Sequence, residues 1–370
     1  MSGCYAAFDV GGTKTALLLA DRRANRLGLL RESTSPETPE AVSYRDGRAH
    51  LGVARHMVSL LRSALLEADC PSLLGIGIGA AGPVDGGDMR NPPNVGATGE
   101  DRPDRPGPLY VPLVDPLREA FGAPILLRND CRAAVLGEVF FGVGRAVPDK
   151  DGLFLAYVTL STGFGAGVWD GGHLVTGKDG NAGEVGHLLV REGGLPCGCG
   201  NRGCAEAYCS GSGIVRNARA RLQEANASDD ARYGVVLRQL ALEEACAEGV
   251  VPADDGGSLG RYVTPRRVFE AAEAGDPLAV AVIDEALRAA GIAFAGLANA
   301  CDPDVVSVGG GVALAHPELL PRIDAEMRRH LNVRPPQVQL TSLGEDAVLY
   351  GALVLAQQAA EGRLGPSVGS

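Results

Sequence analysis

The sequence has no cluster of lysine and arginine and no long apolar run. Its 34 basic and 45 acidic residues give a formal net charge of −11, which is not the electrostatic footprint of a nucleic-acid-binding protein. No apolar run approaches the roughly 18 residues of a membrane-spanning helix. The first residues lack the basic and apolar regions of a signal peptide. We therefore expect a cytoplasmic protein with neither a nucleic-acid nor a membrane partner.

Two motifs of nucleotide-binding enzymes are absent or incomplete. The P-loop pattern G-x-x-x-x-G-K-[ST] does not occur. Residues 77–82, GIGAAG, satisfy the dinucleotide-binding pattern G-x-G-x-x-G, but Pro83 and the Gly86–Gly87 pair follow at once. These residues cannot continue the helix whose N-terminus would hold a pyrophosphate. A P-loop enzyme and a dinucleotide-dependent oxidoreductase are both disfavoured.

A disulfide framework is not expected either. Five of the nine cysteines stand apart in the sequence, and in a chain of this length that spacing is typical of reduced thiols in a core. The five are Cys4, Cys70, Cys131, Cys246 and Cys301.

What the sequence does contain is a repeated glycine-turn pattern. Residues 5–10 and the run after residues 11–14 predict a β-hairpin around GGTK, and the pattern recurs at 153–175 around STGFG. Apolar runs that end in glycine, 73–82 and 304–311, follow at matching places in the two halves. The repeat predicts two similar α/β cores.

The two glycine turns offer groups suited to phosphate. Glycine backbone can approach an anion closely, and threonine and lysine side chains can donate hydrogen bonds to it. The alternative is an ordinary hairpin turn, because short glycine motifs often match by chance; two such turns in duplicated halves favour a shared ligand. The candidates are Asp9, Gly11, Gly12, Thr13, Lys14, Thr162, Gly163 and Gly165.

Asn129 and Asp130 lie where the strand-like PILLRND meets the helical CRAAVLGE. A carboxylate there could accept a hydroxyl proton during phosphoryl transfer, while Asn129 positions the alcohol. Asp130 is thus the candidate general base. The alternative is that Asp130 is only the N-cap of the helix.

A compact group of metal ligands follows. His187, Cys197, Cys199 and Cys204 have the spacing H-x9-C-x-C-x4-C, which supplies a closed tetrahedral set and leaves no position for a catalytic water. We expect structural zinc. The alternatives are disulfides, or Cys209 in place of one ligand.

Two glutamates flank these ligands. Glu184 precedes His187 by three residues, which places both on one face of a helical turn, and Glu206 follows Cys204 by two. A metal ion would fix both carboxylates for a polar substrate. The alternative is that both are solvated loop residues.

Seven motifs occur in a characteristic order: DVGGTKT, GAAGPVD, NDCRAAVLGE, LSTGFGAGV, GNAGEVGHLLV, CGCGNRGCAEAYCSG and VVSVGGGVA. Together they resemble the ROK family of bacterial sugar kinases and sugar-responsive repressors over nearly the whole chain. The zinc signature and its distance from the ND pair are the specific part of this resemblance.

The resemblance implies an α/β, two-domain, actin-like or hexokinase-type fold, which is a duplicated ribonuclease-H-like fold with an interdomain cleft. It places a smaller domain at residues 1–128 and a larger one, with the zinc loop, at 129–370. The final helix, at about 346–362, would pack back on the smaller domain. A homodimer is expected from the family.

The resemblance also implies ATP-dependent phosphorylation of a hexose, first of all glucose, at its 6-hydroxyl. Asp130 would be the base, Mg²⁺ would enter with ATP, and zinc would be structural on His187, Cys197, Cys199 and Cys204. The sugar would be bound by Asn129, Asp130, Glu184, His187, Glu206, Gly82 and Asn94. The two glycine turns would hold phosphates, and Gly309, Gly310 and Gly311 would lie near the nucleoside.

Two other functions stay open at this level. An N-acetylmannosamine or N-acetylglucosamine kinase would have the same motifs. The motifs also do not show whether the phosphate donor is ATP or polyphosphate. A sugar-sensing repressor would need a helix-turn-helix before the phosphate motif, for which residues 1–8 leave no room. Family departures in the loop at 95–110, at Arg128 and at 225–262 bear on the identity of the sugar.

Overall fold

The computed structural model of the chain describes residues 3–12, 14–34, 42–45, 47–92, 108–224, 233–250 and 259–363. Two predicted site residues, Thr13 and Asn94, lie outside these ranges, as do parts of the loops at 95–110 and 225–262.

The chain forms two compact units, each discontinuous in sequence. Unit 1 comprises Met1–Tyr157, Ala166–Gly183 and Thr341–Ser370, and unit 2 comprises Val158–Gly165 and Glu184–Leu340. The predicted boundary after residue 128 falls inside unit 1, because the helix that begins at Asp130 packs against the final helix of that same unit.

The first sheet contains five strands in the order β10-β6-β1-β2-β3. Strands β1 and β2 form the predicted antiparallel hairpin, and β6 lies parallel to both β1 and β10. Alternating apolar side chains of these strands form the core with helices α1 (Gly52–Glu67) and α2 (Val114–Phe121). The strands are β1 (Cys4–Val10), β2 (Lys14–Asp21), β3 (Arg26–Ser33), β6 (Leu73–Ala80) and β10 (Ile125–Asn129).

The second sheet repeats this arrangement. Its order is β13-β12-β11-β14-β15, so each strand has a counterpart in the first sheet: a hairpin, then a glycine-ended strand, then a strand parallel to it. The duplication predicted from the glycine turns is confirmed at this level. The strands are β11 (Phe154–Leu160), β12 (Phe164–Asp170), β13 (His173–Leu174), β14 (Val305–Gly309) and β15 (Gln337–Leu340).

A third, smaller sheet has the order β4-β5-β9-β8-β7. Its strands are β4 (Val42–Tyr44), β5 (Gly47–Ala49), β7 (Val84–Asp85), β8 (Asp88–Arg90) and β9 (Leu109–Pro112).

Eleven α-helices occur in the described residues, and none is long and apolar enough to cross a membrane. Residues 274–276 separate two helices, because Asp276 caps the second of them, Pro277–Cys301, with its side chain and Pro277 begins it. The helices are α1 (Gly52–Glu67), α2 (Val114–Phe121), α3 (Asp130–Phe140), α4 (Glu206–Cys209), α5 (Gly211–Glu224), α6 (Val235–Ala247), α7 (Pro265–Glu273), α8 (Pro277–Cys301), α9 (Gly311–Ala315), α10 (Leu319–Arg328) and α11 (Ala347–Ala360).

Helix α11 crosses α3 at backbone contact. A Cβ atom on Gly351 would lie 1.6 Å from the carbonyl oxygen of Ala133, and one on Gly77 of β6 would lie 1.8 Å from that of Ala352. Only glycine permits these approaches. The final helix is therefore wedged between the first sheet and the helix that carries Asp130.

One prediction about the cysteines is wrong. Cys4 and Cys70 form a disulfide, with Cα atoms 6.4 Å apart. The reason is topological: the parallel pairing of β1 with β6 brings the start of β1 to the residues just before β6, where Cys70 lies. The other seven cysteines are free. Cys131 is buried as expected and Cys301 is partly buried, but Cys246 is exposed, so the expectation of a core thiol is wrong there.

Candidate functional site

Asn129 and Asp130 lie at the junction of β10 and α3. Asn129, not Asp130, is the N-cap, since its Oδ1 accepts a hydrogen bond of 3.0 Å from the N–H of Cys131. Its Nδ2 donates to the carbonyl of Gly82 at 3.1 Å. Asp130 is thereby the first residue of the helix, and its Oδ1 accepts from the same Cys131 N–H at 2.7 Å. The interpretation of Asp130 as a simple N-cap is wrong.

The electrostatic setting of Asp130 suits a proton acceptor. Burial raises the pKa of Asp130 above its ordinary value, while hydrogen bonds from Cys131 and the charge of Arg132 oppose the rise. A carboxylate with a raised pKa is a stronger base than one in water, and the N-terminus of α3 favours its negative charge.

Asp9 is the penultimate residue of β1 and interacts with Asp130. Burial, followed by the negative charges of Asp130 and Asp346, raises the pKa of Asp9 from 3.8 to about 7, against the positive charge of Arg31. Arg31 is itself ion-paired with Asp346. Asp9 and Asp130, which are distant in sequence and belong to different motifs, are thus close together in unit 1. A cation or a phosphate-bound metal ion near them would relieve the repulsion between their carboxylates.

The turn after Asp9 is tight and partly preorganised. The N–H of Gly11 donates to the carbonyl of Lys14 at 2.9 Å, and the hydroxyl of Thr34 donates to the carbonyl of Gly11 at 2.8 Å. Gly12 is half-buried and Lys14 is exposed. This turn leaves Lys14 accessible to an anion.

A network missed by the sequence analysis holds the loop around Gly82. The side chain of Asn181 bonds both backbone groups of Val84, accepting from its N–H at 3.0 Å and donating to its carbonyl at 3.1 Å. Arg132 is fully buried, and its Nη2 donates to the carbonyl of Ala182. Asn181 belongs to the GNAGEVGHLLV motif, but spacing alone does not reveal a partner 97 residues away.

The second glycine turn, between β11 and β12 in unit 2, is held by the start of α5. The hydroxyl of Ser212 donates to the carbonyl of Thr162 at 2.8 Å, and the N–H of Gly211 donates to that of Ser161 at 2.7 Å. The N–H of Phe164 donates to Oε2 of Glu206 at 3.1 Å, and Gly163 and Gly165 lie on either side of it in the turn. Glu206 is therefore not a solvated loop residue.

Gly309, Gly310 and Gly311 join β14 to α9. Gly310 has a φ of +88°, and a Cβ atom there would lie 2.5 Å from the carbonyl of Leu160. Glycine is required at position 310 by this positive φ and by the close approach to β11.

His187, Cys197, Cys199 and Cys204 form a cluster whose ligand atoms all lie within 4.8 Å of one another. Nδ1 of His187 is 3.7 Å from Sγ of Cys197, and the sulfurs of Cys199 and Cys204 are 3.8 Å apart. Tetrahedral zinc with bonds of about 2.3 Å to sulfur and about 2.0 Å to nitrogen requires separations of roughly 3.5–3.8 Å. The residues fit zinc.

The thiols themselves indicate a need for a cation. Burial and the adjacent thiols raise the pKa of Cys204 to about 12, so three thiolates cannot coexist there without a compensating positive charge. Cys209 is buried and lies outside the cluster. Its burial raises its pKa as well, which suits an inert core thiol.

Glu184 lies beside the cluster on a 3₁₀ turn, Val185–His187, and its Oε2 is 4.0 Å from Nε2 of His187. Since Nδ1 of the same ring faces Cys197, Nε2 is the nitrogen left for a partner outside the cluster. Glu184 and His187 are both exposed, so a ligand can reach them.

The chain is similar to known proteins over nearly its whole length. The ROK family profile matches residues 5–359. A glucokinase of Streptomyces coelicolor is 32% identical over 363 residues, 96% of this chain and 98% of that relative. An N-acetylmannosamine kinase of Citrobacter koseri is 31% identical over 359 residues, 95% of this chain and 98% of that relative.

A solved structure extends the comparison to the fold. The ROK family glucokinase from Streptomyces griseus, determined in complex with glucose and AMPPNP, matches with a TM-score of 0.66 at 32% identity and covers 96% of this chain and 100% of that chain. The predicted actin-like, hexokinase-type α/β fold is confirmed. With the family profile spanning nearly all of it, the chain belongs to the ROK family.

Proposed function

We propose that the protein transfers the γ-phosphoryl group of ATP to the 6-hydroxyl of a hexose, and that the hexose is glucose. The observation that carries the proposal is the carboxylate of Asp130, held at the N-terminus of α3 with a raised pKa beside the anchored amide of Asn129. The glucokinases among the relatives support the choice of glucose.

In the proposed reaction Asp130 accepts the proton of the sugar hydroxyl as the bond from O6 to the γ-phosphorus forms and the bond to the β-phosphate oxygen breaks, releasing ADP. Positioning and charge stabilisation supply most of the catalysis, because no covalent nucleophile is needed. The amide of Asn129, fixed to Gly82, would orient the hydroxyl. The further sugar contacts proposed by resemblance are Gly82, Asn94, Glu184, His187 and Glu206.

ATP would be bound through backbone N–H groups of the two glycine turns, with Gly309, Gly310 and Gly311 near the nucleoside. The proposed phosphate contacts are Asp9, Gly11, Gly12, Thr13, Lys14, Thr162, Gly163 and Gly165. Mg²⁺ takes oxygen ligands from phosphates and one or two carboxylates, and the crowded acid Asp9 fits that donor set. Bound Mg²⁺ neutralises phosphate charge.

Zinc would be held by His187, Cys197, Cys199 and Cys204. Four protein ligands complete a tetrahedral shell, so the ion would fix the loop and take no part in proton or phosphoryl transfer. The homodimer and the cytoplasmic location stay predictions from the sequence.

An N-acetylmannosamine kinase is the second candidate, favoured by the relative in Citrobacter koseri that matches almost end to end. The loops that would shape an acetamido pocket lie in part outside the described residues.

Initial rates of ADP formation over a panel of sugars test the proposal. The panel contains glucose, mannose, fructose, N-acetylmannosamine and N-acetylglucosamine, with ATP and then polyphosphate as donor. We expect the highest kcat/KM for glucose with ATP. A preference for N-acetylmannosamine would select the second candidate, and no turnover of any sugar would refute a hexose kinase.

The variant Asp130→Asn tests whether Asp130 is the base. We expect kcat to fall by about 10²–10⁴, with glucose binding retained in calorimetry. Asp170→Asn, at the exposed end of β12, is the control and should keep wild-type rates. A near-normal kcat in Asp130→Asn would show that the base is another group.

A further inference from the structure

A second group of metal-ligand side chains lies in unit 2. Glu273 is the last residue of α7, His316 follows α9, and Glu318 precedes α10. One ligand atom from each lies within 4.8 Å of the others. An imidazole with two carboxylates is a donor set suited to zinc and similar transition metals.

The imidazole of His316 is held in one orientation. It stacks on the ring of Phe269 with centroids 3.7 Å apart and planes 20° apart, and its side chain is 18% exposed. Because stacking already restricts the ring, His316 would lose little conformational freedom on binding a metal ion.

One pair of ligand atoms is already at coordinating distance. Nδ1 of His316 is 3.1 Å from Oε1 of Glu318, and two atoms bound to one zinc ion at about 2.0–2.2 Å each lie roughly 3–4 Å apart. Glu273 is exposed, so its carboxylate can close the remaining gap by rotating about its side-chain bonds.

The charges around this group favour a cation. Glu273 ends α7, where the helix dipole disfavours a carboxylate. Among the described residues, no lysine or arginine pairs with Glu273 or Glu318, and the neighbouring Arg266 and Arg267 are bound to Glu244 and Glu270. In the described part of the chain, the basic side chain beside these carboxylates is therefore His316, on Glu318.

A histidine just after α10 provides the contrast. Nε2 of His330 lies 3.2 Å from Oε1 of Glu326, but Arg329 pairs with that carboxylate at 3.0 Å. This is an ordinary surface ion pair with a single carboxylate that is already neutralised.

We propose that Glu273, His316 and Glu318 bind one divalent transition-metal ion, with water completing its coordination. The ion would tie the C-terminus of α7 to the connection between α9 and α10. This site is independent of the proposed kinase activity and of the Cys/His cluster.

Calorimetric titration of Zn²⁺ into protein whose Cys/His cluster is already filled tests the proposal. We expect one further zinc ion per chain in the wild type and a rise in Tm with zinc concentration, because a ligand that binds only the folded state stabilises it. His316→Ala and Glu318→Gln should each weaken this binding by about tenfold or more.

His330→Ala is the control and should bind the further ion like the wild type. Glu318→Gln changes an exposed carboxylate, so it remains informative even where His316→Ala affects folding. Zinc uptake limited to the Cys/His cluster, or equal further binding in wild type and both variants, would overturn the proposal.

Discussion

Oε2 of Glu206 accepts a hydrogen bond of 3.1 Å from the backbone N–H of Phe164. This bond joins the start of α4, two residues beyond the cluster ligand Cys204, to the glycine turn between β11 and β12. A side chain assigned by resemblance to sugar binding therefore also shapes the turn assigned to phosphate.

Glu206→Gln and Glu206→Ala should separate these two roles. Glutamine keeps an oxygen that can accept the hydrogen bond from Phe164, so the KM for ATP should change little. It loses the negative charge, and a hydrogen bond to a charged group contributes roughly 1.5–3 kcal/mol, so the KM for glucose should rise by about tenfold. Alanine loses both contacts, so both KM values should rise. Steady-state kinetics with each substrate varied in turn measures this, and an unchanged KM for ATP in Glu206→Ala would contradict the role in the turn.

Arg132 should influence the pH dependence of turnover. Its positive charge opposes the rise in the pKa of Asp130. Asp9 of β1 adds negative charge nearby. Strand β6 and helix α11, which also pack against α3, contain no charged residue. Arg132→Met should move the acid limb of kcat/KM to higher pH, and Arg132→Lys should restore it.

The control for Arg132 is Arg128→Met, which removes a nearby guanidinium that bonds the carbonyl of Leu127. It should leave the acid limb in place. Folding of each variant is checked by circular dichroism and Tm. An unchanged acid limb in folded Arg132→Met would show that Arg132 is only structural.

Asp9 should make the ligand-free protein less stable as pH rises. Its pKa is 3.8 when unfolded and about 7 when folded, so between these values the folded state holds a proton that the unfolded state has lost. Stability from this group is complete below pH 3.8 and is lost as the pH rises through about 7. Asp9→Asn should therefore flatten the fall in the free energy of unfolding between about pH 4 and about pH 7.

Asp21→Asn is the matched control for Asp9. Hydrogen bonds from Asn25 lower the pKa of Asp21, so it is ionised across that window in both states and its loss should not alter the slope. Urea unfolding without sugar or nucleotide measures both variants. A wild-type slope in Asp9→Asn would contradict the raised pKa.

The Cys/His cluster should carry one zinc ion on which the sugar contacts depend. Cys199→Ser should lower the zinc content and reduce the free energy of unfolding by roughly several kcal/mol. It should also raise the KM for glucose, because Glu184 and Glu206 lie next to the cluster in sequence. Metal analysis and kinetics measure these effects. Cys246→Ser, an exposed free thiol on α6, should change none of them, and full zinc content in Cys199→Ser would contradict the ligand assignment.

Local sequence patterns were sufficient to predict the secondary-structure elements that end in the motifs. The hairpin at Gly11, the strand-to-helix junction at Asn129 and the Cys/His spacing are each set by a few consecutive residues, and each is present. The resemblance then supplied the fold. What these patterns could not predict are partnerships across the chain, such as Asn181 with Val84, Arg132 with Ala182 and Cys4 with Cys70, because each depends on how separate strands and loops meet.

The contact between Gly351 and Ala133 has a consequence for biosynthesis. A ribosome makes α3 more than two hundred residues before it makes α11, so the backbone-distance contacts of Gly351 and Gly137 between these two helices form only after α11 is made. Unit 2 lies almost wholly between them, so it can fold first during synthesis. The helix that carries Asp130, the proposed proton acceptor, would then gain its last packing partner late in synthesis, when α11 docks.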